Sequence, residues 1–233
     1  MSPIVKLCMR SLSKTSVLAM LAVILVPVYG QAQIPRNNQG RPNLSGIWQA
    51  LGNAHWDIEP HQAAAAMDLV PGPLIPVPAP EVVALGAHGA VPPSMGIVQG
   101  GEIPYLPAAR TIRDQNREES MTRDPATKCY LPGVPRATYM PFPFQIFQSE
   151  SHVLIAYEFA DATRDIYLDD PGPSVLDAWM GQSVGRWDGD TFVIEVDQFN
   201  GMTWFDRAGN HHSAGLKVTE RYTMLTPYHM WYE

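Results

Sequence analysis

The second half of the chain alternates apolar and polar positions with a period of two. Val153, Ile155, Tyr157 and Phe159 interleave with His152, Leu154, Ala156 and Glu158, and Phe192, Ile194 and Val196 interleave with Val193, Glu195 and Asp197. That period marks half-buried β-strands. The run Arg186-Trp187-Asp188-Gly189-Asp190-Thr191-Phe192 predicts a tight hairpin, because an Asp-Gly step supplies the positive backbone angles such a turn needs. Further strands are predicted near 144–148, 164–168, 216–225 and 228–232. A first strand is predicted at Leu44-Ser45-Gly46-Ile47-Trp48, where Gly46 leaves room beside the indole. Strands so closely spaced, with no βα alternation, predict a mainly β fold: an antiparallel meander forming a lipocalin-like barrel or a strongly curved sheet.

Helical signals are confined to two places. Pro60 in a first-turn position, followed by the alanine-rich His61–Met67, predicts a short helix that Pro71 ends. Pro107–Ser120 predicts a polar helix with Arg113, Arg117, Glu118 and Glu119 in solvent. The intervening Pro71–Pro107 holds nine prolines, too many for the interior of a helix or sheet. Its Leu74, Ile75, Val83 and Ile97 favour a packed loop or lid over a linker.

At the N-terminus Lys6, Arg10 and Lys14 precede an apolar run, Val17–Val28, shorter than the roughly 20 residues of a membrane-spanning helix. Gly30 and Ala32 follow with the spacing of a signal-peptidase site. The expected organisation is a signal peptide over 1–32, cleaved near Ala32, and a single domain over 33–233, periplasmic or secreted, without a membrane anchor. The leader carries three positive and no negative side chains, so its removal takes the formal charge from −7 to −10. That charge disfavours a nucleic-acid partner. Only Cys129 remains after cleavage, which excludes an internal disulfide and a thiolate zinc site; it is expected to be a small buried hydrophobe. The histidines form neither an HxH nor an HExxH pattern, so no metal and no other cofactor is expected.

Candidate chemistry lies where polar groups interrupt apolar faces. Glu220 sits between Val218 and Tyr222, and Arg164 shares a strand face with Ile166. An interior ion pair is the expectation, with Arg136 or Arg186 as other possible partners for Glu220; a carboxylate of raised pKa acting as a general base is the functional alternative. The segment Trp204–Ser213 concentrates Asp206, Arg207, Asn210, His211, His212 and Ser213 in one loop. It suggests either His212 as a general base oriented by Asp206, or a turn in which Asp206, Gly209 and Asn210 bond the backbone. His211 and His212 cannot serve one centre if extended. Asp188 and Asp190 flank a hairpin glycine and are read as turn residues. Trp48, Trp56, Trp179, Trp187, Trp204 and Trp231 fill the core or line a cavity for a flat ligand.

Several runs act together as a signature: Gly101-Glu102-Ile103-Pro104-Tyr105, Asp124-Pro125 with Cys129-Tyr130-Leu131-Pro132-Gly133-Val134-Pro135-Arg136, Pro143-Phe144-Gln145-Ile146, Trp187-Asp188-Gly189-Asp190-Thr191, Thr203-Trp204-Phe205-Asp206-Arg207-Ala208-Gly209-Asn210 with His212-Ser213, and Val218-Thr219-Glu220-Arg221-Tyr222. In these the chain resembles a family of exported bacterial proteins without an assigned activity, over roughly residues 100–225. The resemblance implies no mechanism. It also implies additional strands beyond the one matching Tyr228–Glu233, so a truncated sheet is expected here. Gly46-Ile47-Trp48 resembles the opening of lipocalin barrels, although the proline-rich insertion departs from that pattern.

Two functions are therefore expected. The first is an exported protein binding a small apolar or aromatic molecule in a β-barrel-type pocket, with Trp204, Arg136, Arg164 and Trp187 as contacts. The alternative is a metal-independent hydrolase or lyase using His212, Asp206 and Glu220. The sequence sets neither the ligand's identity nor the oligomeric state.

Overall fold

The two-residue alternation is realised as one long curled sheet. The computed structural model describes residues 33–65 and 90–233; the expected signal peptide over 1–32 and most of the proline-rich segment lie outside them. The strands are β1 (Gly46–Trp48), β2 (Ala64–Ala65), β3 (Ala90–Val91), β4 (Phe144–Gln148), β5 (His152–Tyr157), β6 (Thr163–Tyr167), β7 (Gln182–Asp188), β8 (Thr191–Asp197), β9 (Val218–Thr226) and β10 (His229–Tyr232). Eight of them form the sheet in the order β1-β4-β5-β6-β7-β8-β9-β10, a mainly β half-barrel whose edges are β1 and β10. Strands β2 and β3 pair separately. The helices are short: α1 (Pro107–Glu118), α2 (Ser120–Arg123) and α3 (Arg136–Tyr139), with 3-10 turns at Pro125–Lys128 and Phe159–Asp161. Ile34–Glu233 make one compact unit.

The predicted hairpin is present, with Asp188 paired to Thr191 and Trp187 to Phe192 across the turn. The antiparallel meander is broken once. Strands β6 and β7 run parallel, Ile166 pairing with Ser183 and Tyr167 with Val184. A parallel pair needs a crossover rather than a tight turn, and residues 168–181, with Pro171, Gly172 and Pro173, supply it.

The sheet's interior face carries the alternating apolar set: Phe144 and Ile146, Val153, Ile155 and Tyr157, Ile166, Phe192, Ile194 and Val196, then Tyr222 and Met224. Each such side chain contributes about 1.5–3 kcal/mol by leaving water. Val134, Ala137, Met180 and Phe199 join this core from loops and α3. Gly185 is required here: a Cβ would meet Phe192 at 2.6 Å and Ile166 at 2.7 Å.

Three local expectations are corrected. His61–Met67 is not a helix in its described part, because His61 exchanges backbone hydrogen bonds of 3.0 Å with Ser94 and Ala64–Ala65 pair with β3. A distant backbone partner here overrides alanine's helix preference. Within α1, Arg113 and Arg117 do not simply point to solvent; they bind Glu59 and Asp57. Cys129 is exposed rather than buried. The described end of the proline-rich segment lies against the domain, Ile97 N donating to Ile58 O at 2.8 Å and Ile103 N to Glu59 Oε1 at 2.7 Å.

Candidate functional site

The polar residues singled out by the sequence divide into buried networks and an open cleft. Arg164 on β6 and Glu220 on β9 form the expected interior ion pair, both side chains 1% exposed. Arg164 Nε also donates to Ser183 Oγ at 2.7 Å. Tyr222 and Tyr232 donate to Glu220 Oε1 at 3.1 and 2.8 Å. Burial works to depress the Arg164 guanidinium, but Glu220 outweighs it and holds its pKa well above the ordinary value. Burial, reinforced by Glu220, pushes both tyrosines well up. With three donors on it, the Glu220 carboxylate has no free role as a base.

Arg136 is also paired, but with Asp124, through two parallel bonds of 2.8 and 2.7 Å. The geometry is the bidentate fork that makes such pairs strong. Arg186 lies elsewhere, exposed and 3.8 Å from Glu195. Trp187 packs on the core against Phe192, ring centroids 5.0 Å apart. Of the four nominated ligand contacts, Arg136, Arg164 and Trp187 are thus committed to the fold.

Asp206 anchors its own loop. Its carboxylate accepts from Ile58 N at 2.9 Å, Ala208 N at 2.9 Å, Asn210 N at 3.2 Å and Asn210 Nδ2 at 2.7 Å. Loss of solvent pushes its pKa up to about 7, against the pull of the Asn210 and Ile58 donors. Asn210 Nδ2 reaches Asp57 as well, at 3.2 Å, and Arg117 donates to Asp57 at 2.6 Å. This is the turn reading of the loop, and it ties residues 55–59 and α1 to it.

His212 does not bond Asp206. Its Nδ1 meets Ser213 O at 2.9 Å and its Nε2 meets Thr203 Oγ1 at 2.7 Å. A carbonyl only accepts, so the neutral ring carries its proton on Nδ1 and takes the Thr203 hydroxyl at Nε2. Burial lowers the pKa of His212. Thr203 is 2% exposed and pressed on Gly133, where a Cβ would sit 2.5 Å from its Oγ1. Neither Thr203 nor His212 lines the cleft described next.

That cleft, of about 410 Å³, lies among α1, the 3-10 turn after α2, the β6–β7 crossover and the loop after β8. None of its lining residues belongs to a strand of the half-barrel. Trp204, the fourth nominated contact, is 6% exposed in its wall. Tyr130 and Trp179 stack beside it, centroids 4.9 Å apart and planes 8° from parallel. His211 lines the cleft too, stacked on Tyr105 at 5.3 Å, while burial lowers its pKa. Tyr105 fixes this histidine's backbone, donating to its carbonyl at 2.8 Å and accepting from its N–H at 2.7 Å. His211 and His212 face different surroundings, as neighbours in extended chain must.

Arg123 and Lys128 also line the cleft, with Ile112, Asn116, Pro125, Gly201 and Met202. Sequence reasoning did not name Arg123, Lys128 or Met202, quoted Tyr130 only within a signature run and named His211 only as part of the candidate loop. The usable signal lay in part in the signature runs, since Pro125 and Tyr130 from one of them meet Trp204 from another. Among the described residues no group of three metal-ligating side chains converges, and no helix is long and apolar enough to cross a membrane. No family model matches the chain, and neither a curated protein nor a solved structure is significantly similar to it.

Proposed function

We propose that this protein is exported and binds a small aromatic molecule, and that the cleft walled by Trp204, Trp179, Tyr130 and His211 is where it does so. The carrying observation is the aromatic lining of an open space of about 410 Å³, within the roughly 300–1,000 Å³ of small-molecule sites. Tyr130 and Trp179, stacked on each other, put a pair of aromatic rings in the lining, and offset stacking is the geometry such rings prefer with a planar guest. The concave face of the half-barrel is the less suitable place, because its apolar, tyrosine and ion-paired side chains already fill it. Export rests on the basic stretch, the short apolar run and the small residues before Gln33.

The test is intrinsic fluorescence titration and thermal unfolding of the purified protein with a panel of planar aromatic and aliphatic compounds. A binder of the native state raises the unfolding midpoint by mass action. The expected result is saturable quenching of tryptophan emission and a raised midpoint for aromatic compounds alone, with N-terminal sequencing of the exported protein beginning at Gln33. Equal or absent responses across both classes overturn the binding reading.

A further inference from the structure

The cleft is chemically lopsided, and its imbalance names the guest. The protein as a whole is acidic, with a formal charge of −7. Yet among the described residues lining the cleft the charged groups are Arg123 and Lys128, and no carboxylate is present. Arg123 comes from the end of α2 and Lys128 from the 3-10 turn that follows. The Arg123 guanidinium is 3.9 Å from Glu119 in an exposed pair, a contact worth little and easily exchanged. Lys128 is exposed and enters no ion pair among the described residues.

The turn that carries Lys128 is itself fixed. Asp124 Oδ1 accepts from Ala126 N at 2.9 Å, and both of its oxygens are gripped by the buried Arg136. The backbone that carries Lys128 into the lining is therefore anchored on a buried ion pair. Cations lining one side of a cleft concentrate an anion there, and a guanidinium matches the two oxygens of a carboxylate. The aromatic wall supplies the other half of the recognition.

Resting on the aromatic-cleft reading, we infer that the natural ligand is an aromatic carboxylate, its ring against Trp179 and Trp204 and its carboxylate toward Arg123 and Lys128. A neutral aromatic uses only the wall, and a simple anion uses only the cations. The guest that engages both is a flat acid.

Isothermal titration of the purified protein with 1-naphthoate and with 1-naphthamide, two compounds of near-equal shape, tests this. The charged compound is expected to bind about tenfold more tightly, the size of one charge-assisted hydrogen bond. Substituting Arg123→Gln and Lys128→Gln together should remove that advantage, lowering naphthoate affinity about tenfold while naphthamide affinity and the melting midpoint stay unchanged. Both residues are outside the core, so the variant folds. Equal affinity of the two compounds for the unmodified protein overturns the carboxylate assignment and leaves the aromatic cleft standing. Failure of both to bind overturns the aromatic cleft itself.

Discussion

The half-barrel interior and the loop-side cleft both gather charged and aromatic side chains, yet the interior is filled while the cleft is an open space. Inside the sheet, the Glu220 carboxylate takes hydrogen bonds from Arg164, Tyr222 and Tyr232. In the cleft, Arg123, Lys128, Tyr130 and Trp179 come together with no carboxylate in the lining, the exposed Glu119 that lies 3.9 Å from Arg123 being outside it. The difference teaches that a charged or aromatic residue on a strand says little about function until its partner is known. Compensation makes such a group part of the scaffold, and its absence makes it available.

Four measurements break or sharpen this contrast. The largest effect belongs to the interior. Glu220→Ala leaves Arg164 buried without its partner, a loss of about 3–5 kcal/mol; urea unfolding should show it directly. The double change Arg164→Met with Glu220→Leu should recover only part of that loss, since it removes the unpaired buried charge but takes their partners from the Ser183, Tyr222 and Tyr232 hydroxyls. If Glu220→Ala leaves stability intact, the interior network is not what holds the sheet.

A pH series comes next. Burial raises Asp206 from 3.8 to about 7, so its contribution is fully present below the unfolded value and is lost as pH rises through 7. Burial, then the charges of Arg207 and Arg136, lowers His55 from 6.5 to about 4, so its contribution is present above 6.5 and is lost as pH falls toward 4. The two oppose each other between about pH 4 and 6.5. In His55→Gln one of the slopes opposing Asp206 is removed, those of His211 and His212 remaining, and the variant should gain stability relative to the unmodified protein on acidification from about pH 7 to 5. One proton sets a ceiling of about 1.4 kcal/mol per pH unit. Superimposable pH profiles for the two proteins would refute the opposition.

On the cleft side, Trp179→Ala removes one stacking face. It should weaken an aromatic ligand about threefold to tenfold, the equivalent of a single aromatic contact, with a small fall in the melting midpoint from the lost stack on Tyr130. Unchanged affinity would remove Trp179 from the site. The smallest effect is expected at Arg36 and Asp190, an exposed pair at 2.6 Å. Arg36→Gln should leave thermal unfolding where it was, because solvent screens such contacts.

The strands were legible because their period is local. Val153, Ile155 and Tyr157 need only each other's spacing to declare a buried face, and Asp188-Gly189 needs only its own backbone preference to declare a turn. The Arg164–Glu220 pair was legible for the same reason, since both residues interrupt a clear apolar face. What remained hidden depends on contacts between distant segments. The alanines after His61 carry a helical signal, and only residues 90–94 convert the stretch to paired chain. The cleft draws on α1, a 3-10 turn, a crossover and a loop, none of which shares a period with the others. His212 and Asp206 lie close in sequence, yet separate hydrogen-bond partners claim them.

The single parallel junction, β6 against β7, gives the molecule a mechanical seam. Strands β1 and β4–β6 form one panel and β7–β10 another, and the backbone joins them through the two residue pairs at Ile166 and Tyr167. Arg164 lies on the first panel, while Ser183 and Glu220 lie on the second. Its side chain is therefore a rivet across the weakest line of the sheet, and cutting it loosens the two panels from each other as well as unbalancing a buried charge.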